Sequence, residues 1–508
     1  MTLTEELAEW AAALRYEDIP ETVRRYAISQ VLSQLAAARA GLQHPLGAKI
    51  VKAFGSPSQT DPVRKAYVLA ALTTSLDFDD TMYAGHVSHS TVNVPLAYLG
   101  TGRLTGPDAG KRLLTAIVAA NETAARVTAA ATLGPMRGQT ALHAHLVGGV
   151  AALMHLDDAP AEQWVNAWGV ALAAPPWSLR PAFMGSEAKT LLAAEAVRTA
   201  LNASAAAAAG ITGAPDILEH PDGLLARFAD VALPDAVTLG LGERWHTESL
   251  SFKVFPGCAY LDGAVDAAVA LSPQLGRTAS AAPADRRHLV QEIDEVVVRV
   301  PLFAAAMNAE SAAFLDGPRT GVPALNFTVE YNVATALLTG GLTSADLAPP
   351  LSADAARWQL AEKVRVEHDL TLTERSVLAT APLGEALRQA GGRAEPWLRS
   401  VGGEPAVALL EAAGPPCRDF STAVKSMGAR VEVRLADGRT LEADVEVPTG
   451  AAGPETRVTH QELMRHKFLG VGGQPAVADA LARLPELTAT ELSKAIKAAL
   501  AVPDRGTR

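Results

Sequence analysis

Apolar residues recur at helical spacing from the start of the chain. Leu7, Trp10, Ala11 and Leu14 form one stripe, and Pro20 opens a second segment running through Val23, Tyr26, Ala27 and Val31. The same spacing predicts helices around 63–77, 108–129, 146–156, 161–173 and 187–209. The last of these stops at Gly210, suited to a left-handed cap, and the loop Gly213-Ala214-Pro215-Asp216 follows. Beyond about residue 255 the texture changes. Val296, Val298 and Val300 alternate with Val297 and Arg299 before Pro301, and Val364 and Val366 alternate with Lys363, Arg365 and Glu367, the pattern of short strands. The clearest local signal is a hairpin: Val431, Val433 and Leu435 share one face, Asp437-Gly438 turns, and Leu441, Ala443, Val445 and Val447 return with Glu442, Asp444 and Glu446 facing out. Helical stretches near 261–271 and 331–338 lie between the strands. After Pro454 the chain is helical again, through Leu463, Phe468 and 476–500. The order is helical, then mixed, then helical, which is what a mixed domain inserted into a helical one produces. There is no internal repeat and no low-complexity linker, although residues 205–209 are all alanine.

Composition sharpens this picture. At 508 residues the chain is too long for one compact core. Hydrophobic residues make up 49% and charged residues 19%, an ordinary globular balance. Much of the apolar share is alanine and aromatics are only 5%, which favours closely packed helices. Lys and Arg number 44 against 55 Asp and Glu, a net charge of −11. That argues against a nucleic-acid partner, which needs a basic face to displace counterions, but it leaves room for a locally basic pocket. Cys258 and Cys417 are too few for a disulfide framework or for an iron–sulfur cluster held by one chain. The amino terminus, Met1-Thr2-Leu3-Thr4-Glu5-Glu6, is acidic where a signal peptide is basic, and no apolar run approaches the roughly 20 residues needed to span a bilayer. A cytoplasmic protein without a membrane partner is expected.

Several motifs fail on inspection. Gly106-Pro107-Asp108-Ala109-Gly110-Lys111-Arg112 has one residue too few for a phosphate loop, and Arg where Ser or Thr should meet magnesium. There is no Gly-x-Ser-x-Gly and no His-Glu-x-x-His, so hydrolase and zincin chemistry lack support. His143-Ala144-His145 would present two ligands on one face of a strand but not of a helix, and no cysteine or acidic partner stands at a recognised spacing. No metal is expected.

The densest reactive cluster is Leu76-Asp77-Phe78-Asp79-Asp80-Thr81-Met82-Tyr83-Ala84-Gly85-His86-Val87-Ser88-His89-Ser90-Thr91-Val92-Asn93-Val94-Pro95. A histidine takes or delivers protons near neutrality, and a neighbouring aspartate orients it and stabilises its charged form. The plainer alternative is that the carboxylates cap helices and the histidines hydrogen-bond within a loop.

This segment resembles the Asp-Φ-x-Asp-Thr…His…Pro stretch (Φ apolar) of the MmgE/PrpD family, which includes 2-methylcitrate dehydratases, cis-aconitate decarboxylases and an iminodisuccinate epimerase. The resemblance continues along the chain. Asn121-Glu122-Thr123-Ala124-Ala125-Arg126 is similar to the family's Glu…Arg helix, and Gly185-Ser186-Glu187-Ala188-Lys189 to its lysine-bearing helix. Lys253-Val254-Phe255-Pro256-Gly257-Cys258 leading to Asp266-Ala267 is similar to Lys-x-Tyr-Pro-x-Cys…Asp-Ala, with Phe255 in the tyrosine place. Phe327-Thr328-Val329-Glu330-Tyr331-Asn332-Val333-Ala334 is similar to Phe-Ser-x-x-Tyr-x-Val-Ala. The resemblance implies a mostly α-helical fold with an inserted α+β lid domain. Residues 1–254 and 449–508 would build the large helical domain from both chain ends, with 255–448 as the lid and the active site in the cleft between. It also implies a homodimer without a cofactor.

By the same resemblance Asp77 and Thr81 line the pocket, and the base histidine falls at His89 or His86, with His89 favoured. Lys189 and Lys253 would bind substrate carboxylates as compact cations with three donors, together with Arg137, Thr140 and His143. Tyr331 would donate to a leaving group or intermediate; its ordinary alternative is a packed tyrosine with a satisfied hydroxyl. Two departures separate this chain from the common pattern. In Gly138-Gln139-Thr140-Ala141-Leu142-His143, Thr140 stands where many members have histidine, and Asp262 stands where a histidine often follows the motif cysteine. The implied activity is a cofactor-independent carbon–oxygen lyase on a small carboxylate, dehydrating through proton abstraction next to a carboxylate or carbonyl. An isomerase, an epimerase or a decarboxylase would use the same enolate-like intermediate, and a carboxylate-binding protein on a degenerate fold is the competing class.

Overall fold

Small residues let the helices of the amino-terminal half lie close. The computed structural model describes residues 1–83, 85–135, 142–276 and 283–502. Helices α1 (Glu21–Gln43), α2 (Pro62–Thr74), α3 (Ala109–Ala130), α4 (Leu142–Leu156) and α5 (Lys189–Ala208) dominate this half. From Leu113 to Ala130 every residue of α3 is buried, so other elements must cover all its faces. Its polar residues are satisfied from outside the helix. Glu122 accepts from the backbone N–H groups of His246 and Thr247 at 2.8 and 2.9 Å, and Arg126 donates to the carbonyls of Leu239 and Arg244 at 2.7 and 2.6 Å. The Glu…Arg pair thus pins the segment that leads to the site. On α4, a Cβ at Gly148 would lie 2.7 Å from Thr91 Cγ2, and one at Gly149 would lie 2.7 Å from Ala200 Cβ. The absence of side chains there lets α4 touch both α5 and the short helix Ser88–Thr91.

The largest core runs from Leu7 to Phe252 and resumes from Val377 to Leu500. A two-residue ladder, β1 (Asp80–Thr81) against β2 (Ser251–Phe252), lies among these helices. A second core spans Leu261 to Leu435. There α6 (Asp262–Leu271) and α7 (Val329–Thr339) pack with a four-stranded sheet of order β4-β3-β5-β6, formed by β3 (Ile293–Val300), β4 (Val364–His368), β5 (Ala429–Leu435) and β6 (Thr440–Val445). Strands β3 and β4 run parallel and the other neighbours antiparallel. The inward set Val296, Val298, Val431 and Val433 meets Ala264, Ala268, Val333 and Leu337 of the two helices. The fold is therefore mostly α with a small α+β part, as the alternating and helical spacings predicted. Helix α8 (Pro454–Gly470) then returns along α1.

Two details differ from the sequence expectation. The predicted helix at 476–500 is broken: Pro475–Ala482 ends, a short turn holds Leu484–Glu486, and Thr488 starts Ala489–Leu500 with a capping box to Glu491. Within the span assigned to the lid, Val377, Leu387, Trp397 and Phe420 pack into the larger core instead. Among the described residues, no helix is long and apolar enough to cross a membrane.

Candidate active site

Helix α2 ends at Thr74, and the backbone then makes a sharp excursion in which Asp77 takes φ +51°. A left-handed conformation in a non-glycine residue costs about 1–3 kcal/mol and persists where its surroundings dictate it. Two buried ammonium groups do so here. Lys189 Nζ, at the start of α5, donates to Asp77 Oδ2 at 2.6 Å, and Lys253 Nζ donates to Asp77 Oδ1 at 2.6 Å and to its carbonyl at 2.9 Å. The ladder of β1 and β2 pairs Asp80 with Phe252 and Thr81 with Ser251. Lys253 is thereby brought beside Asp79, whose Oδ1 it reaches at 3.0 Å.

The other oxygen of Asp79 serves the histidines. His86 Nδ1 lies 2.5 Å from Asp79 Oδ2, and His89 Nε2 lies 3.2 Å from the same atom. The two histidines differ in what else they meet. The His89 side chain is 1% exposed, and its Nδ1 is 2.9 Å from the Thr73 hydroxyl, which also accepts from Asn93 Nδ2 at 2.9 Å. The His86 side chain is 21% exposed, and among the described residues its Nε2 has no hydrogen-bond partner. His145 of α4 abuts His89, with ring centroids 5.4 Å apart and Nδ1 3.3 Å from Ser90 Oγ.

Burial alone would raise the carboxyls of Asp77 and Asp79. Lys189 and Lys253 outweigh it at Asp77, and His86, Lys253 and His89 outweigh it at Asp79, so both are held below the usual carboxylate range. Asp80 goes the other way, raised by burial and by Asp79, and takes bonds from Ser88 and Gln34. Burial likewise drives the His145 imidazole well below its ordinary value, so it sits neutral at the cluster's edge. Oδ2 of Asp79 and one ring nitrogen each of His86 and His89 lie within 4.8 Å of one another, a spacing that suits a divalent cation. The same carboxylate already bonds the Lys253 ammonium, and a second cation there would be repelled. The donor set is better matched to holding a proton than a metal.

Two lysines that the sequence reading did not select complete the surroundings. Lys467 of α8 reaches the Phe78 carbonyl at 2.7 Å and Ser33 Oγ at 3.0 Å, and burial pushes its ammonium down to about 7. Lys425 reaches Thr81 Oγ1 at 2.9 Å. It lines a tight space with Thr81, Lys253 and Asp262. Neither lysine lies in a recognisable motif, so no local signal marked them. Asp79 stood in plain view within the reactive cluster, but its orienting position depends on the turn at Asp77.

The expected residues divide accordingly. Asp77, His86, His89, Lys189 and Lys253 form one continuous set of contacts through Asp79, and Thr81, bonded to Lys425, lies beside them in a crevice that Lys253 also lines. Tyr331 is not part of it. Its hydroxyl donates to the Asp346 carbonyl at 2.6 Å and accepts from Arg357 at 3.3 Å, inside a small core with Leu325 and Leu347. His143 faces Phe228, ring centroids 5.7 Å apart, while His145 faces the cluster. Residues two apart on α4 diverge as a helix requires. Arg137 and Thr140 lie outside the described residues.

The model of the MmgE/PrpD N-terminal domain matches residues 5–235, and that of the MmgE/PrpD C-terminal domain matches residues 255–395. No curated protein matches the chain.

Proposed function

The chain belongs to the MmgE/PrpD family, whose members are typically dehydratase-like enzymes, and on that premise we propose that it is a lyase removing a proton from carbon next to a carboxylate of a small substrate. The observation that carries this reading is the Asp79–His86 pair. A carboxylate at 2.5 Å from Nδ1 fixes the ring, leaving Nε2 as the atom that meets substrate. His89, which the sequence favoured, is the more buried ring and has one nitrogen engaged with Thr73. We therefore assign the base to His86 and an orienting part to His89.

Abstraction breaks the C–H bond and leaves its electron pair on an enolate-like carboxylate. The buried cations of Lys189 and Lys253 stabilise that charge in a water-poor setting. Imidazolium formed at His86 is stabilised by Asp79 and returns the proton to a departing β-hydroxyl. The C–O bond breaks, a C=C bond forms and water leaves. Delivery of a proton to the opposite face of that carbon by a second acid gives epimerisation. In a decarboxylation the C–C bond breaks in place of C–H, CO2 leaves its electron pair on carbon as an anion of the same enolate-like kind, and imidazolium at His86 protonates that carbon. Tyr331, committed to Asp346, is not given the acid role.

The test is incubation with hydroxy- and unsaturated polycarboxylates in D2O, with and without chelator, read by proton NMR. The reading expects deuterium at one carbon of at least one substrate, unaffected by chelator. Absence of exchange across the panel would leave a carboxylate-binding protein as the better description.

A further inference from the structure

A groove of about 290 Å³ lies at the end of α2 remote from the reactive cluster, near the lower end of the size range of small-molecule sites. Three segments wall it: the loop 57–60 with the first turn of α2, the turn 99–101, and one face of the helix Ala489–Leu500. On that face Ser493, Ile496, Lys497 and Leu500 recur at helical spacing. The charged residues of the lining are Lys65 and Lys497, with no Asp or Glu among them. A concave surface of purely positive sign runs against a chain whose net charge is −11.

Lys65 is half-buried, and among the described residues its ammonium makes neither a hydrogen bond nor an ion pair. Burial lowers its ammonium, and no carboxylate stands close enough to raise it. It also occupies the first turn of α2, where the helix dipole disfavours a cation. Nothing among the described residues compensates this charge, and an anion in the groove would. Ser58, Thr60 and Ser493 bring hydroxyls to the same groove that make no hydrogen bond among the described residues. Buried Leu99, Ile496 and Leu500 form an apolar floor.

We propose that this groove is a second ligand site, for a phosphate ester with an apolar body. A phosphomonoester carries a charge of about −1.5 to −2 near neutral pH and three strong acceptor oxygens. Two ammoniums balance that charge, and the hydroxyls donate to the oxygens. The body of the ester covers Leu99, Ile496 and Leu500, which inorganic phosphate is too small to do while it meets both lysines. The site is distinct from the active site, because Lys65 lies about 12 Å along α2 from Thr73, whose hydroxyl meets His89. The inference does not depend on the lyase reading.

The experiment is calorimetric titration of the full chain, near neutral pH, with phenyl phosphate, inorganic phosphate, benzoate and phenol. Phenyl phosphate should bind with a Kd below about 1 mM, and at least about tenfold more tightly than each of the other three. Lys65→Met should weaken it by about tenfold or more, Lys497→Met at the exposed rim should weaken it less, and Lys65→Arg, which keeps the charge, should retain it. Lys494→Met, on the same helix but outside the groove, and His86→Ala in the active site should both bind as wild type does. A melting curve establishes that each variant is folded. Phenyl phosphate that binds no more tightly than benzoate or inorganic phosphate overturns the proposal, as does binding undiminished in both Lys65→Met and Lys497→Met. A loss in Lys494→Met equal to that in Lys65→Met would mark a general surface attraction, and a loss in His86→Ala alone would put the phosphate in the active site; either result also overturns it.

Discussion

Replacing Asp79 with asparagine tests the link between geometry and chemistry most severely. The amide keeps the size of the carboxylate but has one acceptor, and Lys253 Nζ at 3.0 Å from Oδ1 claims it. The NH2 group then faces His86 Nδ1 at the 2.5 Å position of Oδ2. That nitrogen must become the acceptor, which moves the ring proton to Nε2, the atom assigned to take a proton from carbon. The charge that stabilises imidazolium is also lost. For charge centres about 4 Å apart at an effective dielectric near 20 this is about 4 kcal/mol, or about a thousandfold in rate. Lys253 keeps both its bonds to Asp77, so the stability cost stays near 1–3 kcal/mol. The pH dependence of that cost has a definite sign. Because the folded-state carboxyl is depressed, its contribution is fully present above about pH 4 and fades as pH falls through the lower folded value. The variant should therefore melt close to wild type in strong acid and below it at pH 7. Deuterium exchange by NMR and thermal melts at pH 3, 5 and 7 read both effects. A folded Asp79→Asn that exchanges within about tenfold of wild type would refute the orienting role.

Three further outcomes follow from contacts in and around the site. Asp77→Ala leaves two buried ammoniums facing each other without their shared carboxylate, and denaturant titration should show a loss of about 3–5 kcal/mol or more. Tyr331→Phe removes the bond to the Asp346 carbonyl, lowering stability by about 1–2 kcal/mol while exchange stays within about twofold of wild type; a large catalytic loss there would restore the acid role to Tyr331. Burial lowers Lys467 to about 7, so its charged form is a burden in the fold. That burden is full below pH 7 and disappears as pH rises toward the unfolded value near 10.4. Wild-type stability should rise across that window, and Lys467→Met should flatten the rise in melts taken from pH 6 to 10.

Much of this architecture is written in local patterns. The stripe Val23, Tyr26, Ala27, Val31 became the buried face of α1, and the alternation about Asp437-Gly438 became the β5–β6 hairpin. What periodicity does not carry is the identity of the partner core. The helices holding Leu387 and Trp397 look as amphipathic as any, yet they pack with residues hundreds of positions away. Pro485 and the cap at Thr488 divided the last helix because local backbone chemistry outweighed a continuous apolar spacing. In the site, the reactive cluster at 77–89 was legible because its residue types are improbable together. Lys425 and Lys467 were not, since a lone lysine usually marks a solvated surface. Tyr331 shows the converse: a tyrosine in a stretch that resembles a motif, whose hydroxyl the tertiary fold spends on a backbone carbonyl. The order of His86 and His89 was equally beyond the sequence, because it rests on which ring keeps contact with solvent.

The most direct measurement is the rate of deuterium incorporation into a polycarboxylate by wild type, His86→Ala and His89→Ala, with melts to establish that each is folded. With His86 as the base, His86→Ala should lose about a thousandfold or more and recover part of it with added imidazole, while His89→Ala keeps a larger share. A His86→Ala protein that exchanges at the wild-type rate would contradict the account.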